Sequence, residues 1–349
     1  LKGDCITLFN NNKEFIEANN PLIAVYGIYK NEQNFIERFL ESVKTADEIV
    51  LCDTGSTDET NNIIKRFIES HPNFKLKIVP ICVSPWRFDD ARNTSLSLVS
   101  PEVDICISLD IDEFLMENWK EHLINQWEDG VTRYYHKFKT YWADGGISEH
   151  WHERIHIRNG YTWKLPVHEV LEYSGSEKIK RLPEFWIYQK PEEKETRHSY
   201  LPLLEQSVKE RKDIWKSWSF LSNEYLNVGR YDDALKAIDT ALEISNCDKS
   251  FLYKQKYYLY KAQNKMDLAL FSLNTAIFYM PERREVYVEK AKFLSQLGRN
   301  TEAYFTVLEA VKRISKIIDY HYNSSAWDGA FDDFKANIFE QAKKEGFIL

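Results

Sequence analysis

A chain of 349 residues is long enough for two domains of ordinary size. Its formal net charge of -8 argues against a nucleic-acid binder that works through bulk charge, because neutralising phosphates needs a basic face. No apolar run reaches the roughly 18 residues of a membrane span, and residues 1–20 lack the basic start and apolar centre of a signal peptide, so a cytoplasmic protein without a membrane span is expected. The five cysteines, an odd number with no close pair, read as reduced thiols.

Residues 22–99 alternate between short apolar runs and helical periodicity. The pattern predicts strands at 22–28, 48–52 and 76–79, and helices at 32–43, 57–70 and 89–98. A fourth strand at 105–109 follows. Strands alternating with helices imply a parallel sheet covered on both faces, with the strands' carboxyl ends opening on one shared edge. Between about 131 and 188 the segments become short, aromatic and His-rich. Asn159-Gly160 there is a hairpin signal.

From Thr196 the sequence turns helical and repeats. Gly229, Tyr231, Ala234, Ile238 and Ala241 are echoed by Asn264, Met266, Ala269, Leu273 and Ala276, then by Gly298, Asn300, Ala303, Val307 and Ala310. A period near 34 with small residues at the helix crossings is the tetratricopeptide pattern, and such repeats stack into a curved array with a concave partner surface. Pro281 falls where one repeat should stop.

Four polar clusters fall at the predicted carboxyl edge. Tyr29-Lys30-Asn31-Glu32 is a turn after the first strand. Asp53-Thr54-Gly55-Ser56-Thr57-Asp58 follows the second; its backbone N-H groups can face an anion and Asp53 can accept from a ribose or base edge, although an ordinary capped turn also explains Thr54 to Asp58. Arg92 near a helix start opposes the helix dipole, which an anionic ligand or an ion pair with Asp89 would rationalise. Asp110-Ile111-Asp112-Glu113 crowds three carboxylates at a strand end, which suits Mg²⁺ or Mn²⁺, while Glu113 reads as the start of a following helix. His150, His152 and His156 invite a zinc reading but lack a further ligand at fixed spacing.

Residues 23–32, 49–58, Asp90-Ala91-Arg92-Asn93 and Leu109 to Glu113, in that order, resemble the nucleotide-sugar half of family 2 glycosyltransferases, over about residues 22–172. The resemblance implies an α/β protein: a GT-A, Rossmann-like mixed-sheet domain over residues 1–195, then an all-α tetratricopeptide-like domain over 196–349. With that tail the chain further resembles bacterial peptide S- and O-glycosyltransferases of the sublancin type. An inverting, metal-dependent transferase is implied, taking a UDP-sugar of the glucose, galactose or N-acetylglucosamine type to a peptide, protein or glycan. Carried over by position, Tyr29, Asn31, Glu32, Asp53, Arg92, Asp110 and Ile111 would bind the nucleotide sugar, and Asp112 and His168 would hold Mn²⁺ or Mg²⁺.

The family's usual base, an Asp within a late Glu-Asp pair, has no counterpart except Glu128-Asp129. That leaves Asp144, Glu149, Glu153 and Glu169, of which Glu169 and Glu153 adjoin matched motifs. Residues around Gly145-Gly146 read as an acceptor loop. The helical array is expected to recruit the acceptor or form a homodimer, with its removal sparing donor hydrolysis. Two alternatives stay open: a scaffold whose first domain has lost activity, and a nucleotidyltransferase, although the glycine-rich basic loop that class uses is not present after the first strand.

Overall fold

The computed structural model describes residues 20–142, 145–191, 200–317 and 323–346. It is an α/β molecule: a curled mixed sheet followed by an all-helical region. The apolar runs become β1 (Ile23–Tyr29), β2 (Glu48–Asp53), β3 (Leu76–Pro80) and β4 (Ile105–Ser108). These pair in parallel in the order β3-β2-β1-β4, so Tyr29, Asp53 and the residues after Ser108 share one edge.

Alternation along the strands divides the core into two layers. Ile23, Val25, Ile49, Leu51, Ile105 and Ile107 pack under α1 (Ile36–Val43) and α2 (Thr60–Ser70). Ala24, Tyr26, Val50 and Cys106 face α3 (Phe88–Ser97) on the other side. Helices α1 and α2 begin later than the periodicity suggests, because residues 31–33 and 56–60 are spent on a hydrogen-bonded seam between the two loops. Asn31 Oδ1 accepts from the Thr57 N-H at 2.7 Å, and the Glu32 N-H donates to Thr60 Oγ1 at 2.8 Å.

The sheet then reverses. β5 (Glu113–Leu115), α4 (Trp119–Gln126), β6 (Arg133–Tyr141), β7 (Ile147–Ile157) and β10 (Ile179–Gln189) extend it as β4-β7-β6-β10-β5, with β7 and β5 antiparallel to their neighbours. Two expectations fail here. Glu113 opens a short strand against β10, not a helix. Asn159-Gly160 does not close a hairpin between neighbouring strands. It carries the chain out of the main sheet into β8 (Tyr161–Lys164), whose partner is β9 (Val170–Tyr173). A β-hairpin lies instead at β6–β7, where Tyr141 pairs with Ile147 around the Gly145-Gly146 turn.

After residue 200 the described residues form the helices α5 (Leu201–Glu210), α6 (Trp215–Asn227), α7 (Tyr231–Glu243), α8 (Lys249–Ala262), α9 (Met266–Tyr279), α10 (Arg284–Gln296) and α11 (Asn300–Val311), with α12 (Gly329–Lys344) beyond them. Helices α6/α7, α8/α9 and α10/α11 pack as pairs. All six alanines of the repeat are fully buried, and Gly229, Asn264 and Gly298 adopt positive φ at the equivalent turn of each pair. This fits a tetratricopeptide-like arrangement. Among the described residues, no helix is long and apolar enough to cross a membrane.

Candidate active site

A cleft of about 1030 Å³ opens at the shared carboxyl edge. It collects Tyr29, Asn31 and Glu32 from the loop after β1, Thr54 and Asp58 after β2, Arg92 from α3, and Asp110, Ile111 and Asp112 after β4. His168 and Glu169 enter from the segment before β9, and Gln189 from the end of β10. Nine of the thirteen candidate site residues selected from sequence therefore line one cavity.

Gly27 makes the loop after β4 possible. A Cβ there would lie 2.5 Å from the carbonyl oxygen of Leu109, so only glycine lets that backbone cross β1 and deliver Asp110 and Asp112 to the edge. The loop itself is a turn, not the extended segment that would align Asp110 with Asp112 by strand alternation. Glu113 closes it: its carboxylate accepts from the Asp110 N-H at 2.9 Å, and its own N-H donates to the Asp110 carbonyl at 3.0 Å. Burial, opposed by Arg154 and reinforced by Asp110 and Asp112, pushes the Glu113 carboxyl up to about 8.

Arg92 sits under the cleft with its side chain 6% exposed. One Nη reaches Asp110 at 2.6 Å and its Nε reaches Glu169 at 3.2 Å, with the guanidinium over the Trp163 ring. Burial pulls its proton affinity down, but Asp110 and Glu169 carry it above the ordinary guanidinium value. The alternative pairing with Asp89 is not formed, because Asp89 is taken by Arg87 at 2.7 Å. Arg154, to which the sequence reading assigns no role, holds the second oxygen of Asp110 at 3.2 Å. Asp110 is thus clamped between two guanidiniums, while the Asp112 carboxylate accepts from Gln189 Nε2 at 3.3 Å.

Asp53 turns inward. Its carboxylate accepts from the Gly55 and Ser56 N-H groups, the Ser56 hydroxyl and Asn61, so it shapes the turn that presents Thr54 and Asp58 and does not itself line the cleft. Burial would raise its pKa, yet these donors hold it below the usual carboxylate value. Glu153 also lies away from the cleft: alternation on β7 aims Arg154 at Asp110 and sends Glu153 to the opposite face, against Arg133 at 2.8 Å. Asp144 lies outside the described residues. The three histidines of the zinc reading separate, His156 to Tyr26 at 2.9 Å, and His150 and His152 to an aromatic cluster with Phe138.

His168 has φ 51, a left-handed backbone, and its ring stacks on Phe220 of α6 at 3.9 Å and 16°. Burial lowers its proton affinity against the pull of Glu169 and Glu224. Tyr200 and Leu203 also line the cavity, beside Trp86, Phe88 and Val167. The sequence carries no signal for these contributions, because residues 200–220 read simply as helix.

Among the described residues, no group of three or more His, Cys, Asp or Glu side chains stands in metal-holding geometry. Asp112 and His168 line the same cavity and offer an oxygen and a nitrogen donor, and Mg²⁺-type sites commonly use one or two protein ligands.

The mixed sheet, with acids and a capped turn at the carboxyl edge of its parallel strands, is an α/β domain of GT-A-like type. Residues 26–175 match the family model described as Glycosyl transferase family 2, under half of the chain, and this supports a glycosyltransferase. No curated protein matches. Similar solved structures include those titled MamA MSR-1 C2, at 23% identity and TM-score 0.28, MamA RS-1 ArsTM double mutant, at 11% and 0.29, and MamA AMB-1 P212121, at 24% and 0.27. Each match covers 32% of this chain and 64%, 63% and 61% of the respective MamA chain, less than two thirds of its length.

Proposed function

We propose that the chain is an inverting, metal-dependent glycosyltransferase of the cytoplasm. It moves a hexose or N-acetylhexosamine from a UDP-sugar of the glucose, galactose or N-acetylglucosamine type to a peptide, protein or glycan, with a sublancin-type peptide acceptor as the closest fit to its two-part organisation. The division falls after residue 195, and the helical repeats bind the acceptor or a second copy. The observation that carries this reading is the single cleft lined by Arg92, Asp110, Asp112, His168 and Glu169 within the family-matched segment.

Transfer breaks the bond between the anomeric carbon and the diphosphate oxygen while the acceptor's nucleophile attacks from the opposite face. Asp110, held by Arg92 and Arg154, accepts from a ribose hydroxyl in a fixed direction. The turn ordered by Asp53 offers Thr54 to the nucleoside. Glu169 takes the proton of a hydroxyl acceptor, and Arg92 orients its carboxylate. A thiol acceptor, already partly ionised, would need less of it. Asp112 and His168 would hold a divalent Mn²⁺ or Mg²⁺, which when bound offsets the charge on the leaving diphosphate.

Incubating the purified chain with UDP-glucose, UDP-galactose and UDP-N-acetylglucosamine plus Mn²⁺ should release UDP from at least one of them. Asp112→Ala should lower that rate by about 100-fold or more. Equal turnover by the variant would remove Asp112 from the reaction. No UDP release by the native chain from any of the three would return it to a scaffold role.

A further inference from the structure

We infer that Phe220, which stacks on His168 from α6, is a positioning residue that holds His168 in place for the reaction; this rests on the reading of His168 as a metal ligand given above. His168 occupies a left-handed backbone conformation, uncommon for a residue other than glycine, in surroundings that hold its loop. Those surroundings belong to the helices. Val167, just before it, is 4% exposed and packs into the core formed by α5 to α8. The imidazole lies nearly parallel to the Phe220 ring at 3.9 Å, a stack that fixes both the height and the tilt of its plane.

The helices are fastened on both sides of this contact. Arg87, beside α3, makes a bidentate pair with Glu210 of α5 at 2.6 and 3.0 Å, and Arg211 pairs with Glu172 of β9. The Phe88 N-H donates to the Pro166 carbonyl at 3.0 Å, and the Phe88 ring meets Tyr200 at 5.8 Å. With these ties the face of α6 cannot slide relative to the loop that carries His168. Metal-binding histidines depend on groups that fix their ring orientation, and losing such a group commonly weakens metal binding. The helical region is then part of the donor site, and removing it from about residue 201 would disable donor hydrolysis as well as acceptor capture.

The test uses the full chain as Phe220→Leu, Phe220→Tyr, His168→Ala and the Phe220→Leu/His168→Ala double variant. Mn²⁺ affinity in the presence of UDP is read from the EPR signal of free Mn²⁺, alongside kcat and KM for UDP-sugar hydrolysis. Phe220→Leu should weaken Mn²⁺ binding about tenfold, and Phe220→Tyr, which keeps the stacked ring, should restore it. The double variant should be no worse than His168→Ala, because both changes remove one function. Native affinity in Phe220→Leu, or losses that multiply in the double variant, would overturn the inference while leaving the metal role of His168 standing. Native affinity in His168→Ala would instead defeat that role, and the inference with it. Should the leucine variant melt below the assay temperature, Phe220→Met fills the space without a ring and replaces it.

Discussion

The sheet region and the helical region bury polar groups in different ways. In the first, buried ionisable side chains include Glu32, Asp53, Asp89, Arg92, Glu113 and Arg133, and all but Asp89 and Arg133 gather at the carboxyl edge of the sheet or just beneath it. In the second, buried polar side chains are mainly hydroxyls, Ser207, Ser217, Ser219, Ser222, Ser250, Ser272 and Thr306, with Gln255, Arg283 and Glu285 as exceptions. Several of those hydroxyls donate to helix carbonyls, as Ser222 does to Ala234 and Ser272 to Leu268. Burying charge is expensive unless every partner is in place. The sheet region accepts that expense where a charged ligand would be handled, whereas the helices spend small polar groups on close packing and keep most of their ion pairs at the surface.

Removing one partner from the buried network should produce the largest effect. Arg92→Met would leave Glu169 without its 3.2 Å partner and Asp110 without its 2.6 Å partner, and should destabilise the fold by about 3–5 kcal/mol. The same substitution at Arg299, whose side chain is 39% exposed beside Glu302, should cost less than about 1 kcal/mol. Urea unfolding of both variants checks the contrast. Equal losses at the two sites would break it.

The sequence discloses local features well and distant pairings poorly. Strands β1, β2 and β4 are legible because each is an unbroken apolar run, and the six alanines because their spacing repeats. Glu113 is misread because its strand exists only through β10, more than sixty residues away in the chain. Asn159-Gly160 is a genuine turn, but what it joins depends on β9, which no local pattern reveals. Asp53 and Asp110 both look like ligand-facing acids. One is consumed by its own turn and the other reaches the cleft, a difference set by Gly55, Ser56 and Asn61 in the first case and by Gly27 in the second.

A smaller effect should appear on acidification, again confined to the sheet region. Burial pushes His136 and His156 down to about 3, so both are neutral in the fold and regain an ordinary value near 6.5 when it opens. The unfolded chain therefore binds more protons as pH falls below 6.5. Stability present above that value should be lost toward pH 3, at up to about 1.4 kcal/mol per pH unit for each ring. His136→Gln, which keeps a polar side chain but takes up no proton, should flatten the dependence of the urea midpoint between pH 6.5 and 5. An unchanged slope would mean that the histidines open to water before the fold does.

The smallest effect should come from the helices. Ser250 is 2% exposed and its hydroxyl donates to the Ala276 carbonyl at 2.9 Å, joining α8 to α9. In Ser250→Ala that carbonyl keeps a second donor, the Met280 N-H at 3.2 Å, and no charge is stranded. The loss should be about 1 kcal/mol, with Mn²⁺-dependent UDP release unchanged, because α8 and α9 contribute no residue to the cleft. A loss above about 3 kcal/mol would show that the hydroxyls are as critical to their region as the charges are to the other. A loss of activity at native stability would extend the site beyond α5 and α6 into the array.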